Sequence, residues 1–121
     1  MPEMAALWTD EARLATWLQV EVLAVEAWAR LGVVPEADAL AVRGRAPEVT
    51  EAMVRAVALR EAVTDHDVAA FVDVVQEAIG APAGNWVHYG LTSSDVVDTA
   101  LGATLARAAD LLIAASDDVS P

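Results

Sequence analysis

The sequence predicts an all-α protein, and three observations carry that prediction. Apolar residues recur every three or four positions in three separate segments, the repeat of a helix with one buried face. Hydroxyl or acidic residues stand at the starts of these segments, and Gly or Pro lies just beyond their ends. No stretch alternates apolar and polar residues long enough to compete as a half-buried strand.

The first long helix is capped by Thr9 or Asp10 and followed by Gly32, placed where a left-handed C-cap residue belongs. Leu14, Trp17, Leu18, Val22, Val25 and Trp28 share one face of it, and core packing is expected for both tryptophans. Glu21, near that stripe, reads as a helix edge rather than a buried acid. Pro35 suits the first turn of a short helix running toward Arg43. Gly44 and Pro47 break the pattern, and a third helix is expected over 49–62. A fourth starts at Thr64, carries Val68, Phe71, Val72, Val75 and Ile79, and stops at Gly80 and Pro82. After the loop GAPAGNW, where Trp86 reads as loop support, the last helix runs from Asp95. Val97, Leu101, Leu105, Ala108, Leu111 and Leu112 lie along one side of it. Such a stripe holds one face for several turns, as a seam between long packed helices does. Too little chain is at hand to surround it. Residues 1–94 are therefore expected to form a helical domain. Residues 95–121 would begin a bundle completed by a longer protein, or cover their seam in an oligomer.

Composition narrows the function. A length of 121 residues suits one domain with a modest core. Nineteen acidic residues against seven basic ones, all Arg, give a net charge of −12, and that field repels phosphate backbones. Nucleic acid is therefore not an expected partner. Charged residues interrupt every candidate membrane span, and the start MPEMAALWTDEAR lacks the regions of a secretory signal. Without cysteine there are no disulfides or thiolate sites, so a cytoplasmic location is the default and no metal is expected. An anionic ligand would need positive partners from helix N-termini, a few arginines or another chain.

Two segments share a pattern of Thr, two residues and Asp: Thr64-Asp65-His66-Asp67 and Thr92-Ser93-Ser94-Asp95. Each resembles a capping box, with the hydroxyl accepting from a first-turn amide and the acid reaching back. Either one, alone, is only a helix start. Yet both histidines of the chain, His66 and His88, sit at these two starts. Helix N-termini offer unpaired N–H groups and partial positive charge, which suit phosphate or carboxylate. The hydroxyls of Thr92, Ser93 and Ser94 also exceed what one cap requires. At the second helical position His66 would feel the dipole in one direction and Asp65 and Asp67 in the other.

WVHYGLTSSDVVDTAL resembles the first signature region of the adenylosuccinate lyases, within the fumarase/aspartase superfamily. The opening PEMAALWTDEARLATWLQVEVLAVEAWARLGVVP is similar to that family's first helices, and TDHDVAAFVDVVQE to its second conserved region. The resemblance implies an all-α fold with a long central bundle, a homotetramer whose sites draw on several subunits, and no cofactor. It implies a β-elimination that releases fumarate from adenylosuccinate, or from the related imidazole-carboxamide intermediate of purine synthesis. Carried over by position, His66 and Asp67 would line the substrate pocket, and Thr92 and Ser93 would donate to a substrate carboxylate or phosphate. His88 would bind or relay a proton. Asp65 departs from the family, which commonly has Arg, Asn or another non-acidic residue there; its side chain is expected to point away from an anionic substrate. The family's general-acid histidine and serine loop lie beyond residue 121, so the chain alone is expected to be inactive. Two alternatives stand beside this: a lyase acting on another succinyl adduct, and a helical oligomerisation module.

Overall fold

The computed structural model describes residues 1–119, and every regular element among them is helical. In chain order these are α1 (Pro2–Ala6), α2 (Asp10–Arg30), α3 (Glu36–Arg45), α4 (Glu51–Thr64), α5 (Asp67–Ile79), a 3-10 turn (Ala83–Trp86) and α6 (Ser93–Val119). Ser120 and Pro121, the end of the expected 95–121 segment, lie outside the described residues. No helix is long and apolar enough to cross a membrane among the described residues.

The core forms where α2 lays its apolar stripe on the later helices. Thr9 caps α2, its hydroxyl accepting from the Ala12 N–H at 3.1 Å, and the chain leaves the helix through Gly32 at φ 79°. Leu14, Trp17, Leu18, Val22 and Val25 are buried, and Trp17 meets Phe71 of α5 edge to face at 5.5 Å. Full burial of each such side chain is worth roughly 1.5–3 kcal/mol, so this stripe dominates the docking of α2. Arg43 of α3 then forks onto Glu26 of α2, Nε donating at 3.0 Å.

Helices α4 and α5 meet differently from the expectation. Thr50 is the cap of α4, accepting from the Met53 N–H at 3.3 Å, so the helix starts two residues after position 49. It also runs on through Thr64, which therefore cannot cap α5. Asp65 stops α4 in the left-handed region at φ 56°, its N–H donating to the Glu61 carbonyl at 2.8 Å. The cap of α5 is His66, outside the helix rather than at its second position. Arg60 then joins the two helices, reaching Glu77 at 2.7 Å and Asp73 at 3.4 Å.

Helix α6 packs against α2 through a face one position away from the expected stripe. Val96, Ala100, Thr104 and Ala108 are its buried residues. Small side chains four apart let two helices approach closely, and periodicity cannot choose between neighbouring apolar faces. Of the expected seam only Ala108 is buried; Leu101, Leu105 and Leu112 are 46%, 51% and 58% exposed. This chain leaves that leucine face uncovered.

Candidate functional site

The starts of α5 and α6 come together. His66 adopts an extended backbone, which turns its ring back over the first turn of α5, and Nδ1 accepts from the Ala69 N–H at 3.1 Å. A ring nitrogen that accepts carries no hydrogen, so Nε2 bears it. That nitrogen lies 3.2 Å from Ser93 Oγ, at the first residue of α6. Ser93 accepts this bond and keeps its own hydroxyl hydrogen to donate.

The cap of α6 is half of a capping box. Asp95 reaches back to accept from the Thr92 N–H at 2.8 Å, and the Thr92 hydroxyl donates to the same oxygen at 3.1 Å. The Thr92 N–H, its hydroxyl and the nearby His88 together hold the Asp95 carboxyl below the usual aspartate range. Thr92 hydroxyl is thus committed to its own cap.

His88 stands on a strained backbone, with φ at +73°, a region non-glycine residues seldom enter. The loop around it is pinned from several sides. Trp28 Nε1 donates to the Tyr89 carbonyl at 3.1 Å, and Gln76 donates to the Val87 carbonyl at 3.1 Å. Tyr89 packs edge to face on both Trp28 and Trp86, and Trp86 Nε1 donates to Asp38 at 3.0 Å. Gly90 is required beside them: its φ is +71°, and a Cβ there would meet Trp28 at 2.9 Å. Trp86 is loop support, and Trp28 is half-buried against the core as expected.

The ring of His88 points inward to Glu21, Nδ1 to Oε2 at 2.7 Å. Glu21 is not the expected helix edge. It has no solvent exposure, and its Oε1 has no hydrogen-bond partner among the described residues. Burial raises its carboxyl above the usual glutamate range, and His88 pulls it part of the way back. The physical reason is spacing: Glu21 lies four residues after Trp17 and three after Leu18, inside the buried stripe rather than beside it.

Asp67, exposed at the first turn of α5, accepts from the Val68 N–H at 2.7 Å and also lines a cavity of about 200 Å³. Trp8, Trp17, Leu101 and Arg13 lie on its other walls. Asp65 is exposed and serves as the left-handed stop between α4 and α5. The structure thus gathers His66, Asp67 and Ser93 at one junction and places Thr92 and Asp95 beside it. His88 is held from below by α2. Among the described residues no group of three or more His, Asp or Glu side chains is arranged to hold a metal ion.

A family model described as Lyase matches residues 1–119. The chain belongs to this lyase family. Among curated relatives, the adenylosuccinate lyase of Bacillus subtilis (strain 168) is 49% identical over 112 residues, covering 93% of this chain and 25% of the relative. The adenylosuccinate lyase of Staphylococcus saprophyticus is 44% identical over 110 residues, covering 91% and 24% respectively. The chain spans about a quarter of the length of these lyases. A solved structure described as fumarate lyase from Mesorhizobium sp. BNC1 aligns with a TM-score of 0.75 at 24% identity, over 88% of this chain and 25% of that one. That likeness concerns the fold, and it agrees with the all-helical architecture.

Sequence reasoning about this lyase-family chain missed Glu21. A signal was available: an acid at a position whose neighbours three and four residues away are all apolar has to be buried once that face docks. Its partner was not legible, because His88 is 67 residues distant along the chain.

Proposed function

We propose that this chain supplies part of the substrate site of an adenylosuccinate lyase. The observation that carries the reading is the contact between His66 Nε2 and Ser93 Oγ at 3.2 Å, which unites the two helix starts into one polar junction. Identities of 49% and 44% to two adenylosuccinate lyases support it. In the proposed reaction a base removes the proton next to a substrate carboxylate, giving a carbanion held as an aci-carboxylate. An acid then protonates the departing nitrogen, and fumarate and AMP leave.

Within this chain, Ser93 and the first amides of α6 donate to a substrate carboxylate or phosphate, with the positive end of the helix dipole behind them. Thr92 holds that helix start in place and lies at its edge. His66 and Asp67 line the pocket, and His88 binds substrate or relays a proton. The exposed Asp65 acts through its backbone turn. The general acid and base come from the remaining three quarters of an enzyme of the relatives' length. Residues 1–94 then form one domain, and the helix from residue 95 onward opens the bundle of a cytoplasmic, cofactor-independent homotetramer.

Fumarate release, followed spectrophotometrically, tests this. The 121-residue chain alone is expected to show no turnover, and turnover at an ordinary enzymatic rate would refute the division of roles. Intact enzyme carrying this chain is expected to be protected from proteolysis by adenylosuccinate. Protection by argininosuccinate instead would assign a different succinyl adduct. A second reading, a helical oligomerisation module, is favoured by the uncovered leucines of α6.

A further inference from the structure

Both histidines use Nδ1 for a structural bond, but in opposite senses. The Nδ1 of His66 accepts from a backbone N–H, a group that can only donate, so its hydrogen sits on Nε2. The Nδ1 of His88 faces a carboxyl oxygen 2.7 Å away, on a side chain with no solvent exposure. An ionised Glu21 can only accept, which places a hydrogen on Nδ1 of His88 and leaves its Nε2 without one. We propose that Glu21 is a positioning residue: it holds His88 as the Nδ1–H form and leaves its Nε2 as an acceptor, the opposite of His66, whose Nε2–H is given to Ser93.

Three features agree with this assignment. Among the described residues, His88 is the side chain that bonds the Glu21 carboxyl. The left-handed backbone of His88 delivers its ring to that carboxyl, a conformation that persists only when its surroundings over-determine it. The pins on Tyr89 and Gly90 come from Trp28, on the same helix as Glu21, so one rigid element sets both the loop and the ring. An acceptor Nε2 on His88 suits proton removal or relay. The role in turnover rests on the lyase reading above, whereas the position of the hydrogen does not.

The chain contains only two imidazoles, which makes the test direct. In the 121-residue chain with isotope-labelled histidine nitrogens, two-dimensional nitrogen–proton spectra at pH about 8.5, above the ordinary imidazole range, report which nitrogen bears hydrogen. His88 is expected to show a pyrrole-type Nδ1 and a pyridine-type Nε2, and His66 the reverse. In Glu21→Leu no side-chain acceptor remains for the Nδ1–H of His88. The variant is therefore expected to flip His88 to the Nε2–H form while His66 stays unchanged. A bare Nδ1 on His88 in the wild-type chain would overturn the proposal even if the variant failed to fold. So would an Nδ1–H that persists in a folded Glu21→Leu. Failure of the lyase reading would appear separately, as absence of fumarate release by intact enzyme.

Discussion

A buried carboxylate costs several kcal/mol of solvation, and at Glu21 one of the two oxygens recovers a bond among the described residues. It shares the buried part of α2 with Leu18, Val22 and Val25, a setting in which an apolar side chain of similar size would pack without that cost. Glu21→Leu is therefore expected to stabilise the fold, by roughly 1 kcal/mol or more, the direction seen when buried ionic groups give way to packed apolar ones. Urea denaturation of both chains checks this, and a lower midpoint for the variant would show that the pair is structural. Gain in stability with loss of the His88 tautomer is the pattern of a residue kept for activity. His88, at 24% exposure, can turn its freed Nδ1 to water, so removing its partner leaves no stranded charge.

At the scale of elements, helix starts decide the site. Thr9 and Thr50 cap α2 and α4 with hydroxyls, whereas His66 caps α5 with an imidazole and Asp95 caps α6 with a carboxylate. The last of these is sensitive to pH, and its sign follows from linkage. The Asp95 carboxyl is held below its ordinary 3.8, so it is ionised more readily folded than unfolded. Its contribution is present above pH 3.8 and is lost as the pH falls through the lower folded value. Asp95→Asn is expected to lower the thermal midpoint at neutral pH, with the difference from wild type shrinking below pH 3.8. A difference independent of pH would mean that the carboxylate charge adds nothing to the cap. Because Ser93 belongs to the same first turn, fraying here should also loosen its contact with His66.

At the scale of the molecule, the acidic surface and the bare leucine face of α6 belong together. A charge of −12 keeps a chain soluble while it displays Leu101, Leu105, Leu112 and Ile113. Replacing Leu101, Leu105 and Leu112 by Ala is expected to weaken self-association in sedimentation experiments while the helical content is retained, since none of the three is buried in this chain. Unchanged assembly would remove the seam from consideration. Most of the fold was legible beforehand. The extent of α2 and the end of α5 follow from their stripes and from Gly32 and Gly80, because caps and periodicity act over one or two turns, whereas the start of α5 was placed at Thr64, inside α4. The short α1 carried no such signal, and the register of α6 was misread because two adjacent faces are both apolar.

The residues alone determined the helical class, the rough placement of most helices and the two polar helix starts, since these depend on interactions between positions at most four apart. Only the tertiary structure decided that His66 meets Ser93, that His88 meets Glu21, and which face of α6 lies on α2. Those pairings join segments 27 and 67 residues apart, and no local preference encodes them. They arise when α2 docks on α5 and α6 and carries a carboxyl group into the core with it.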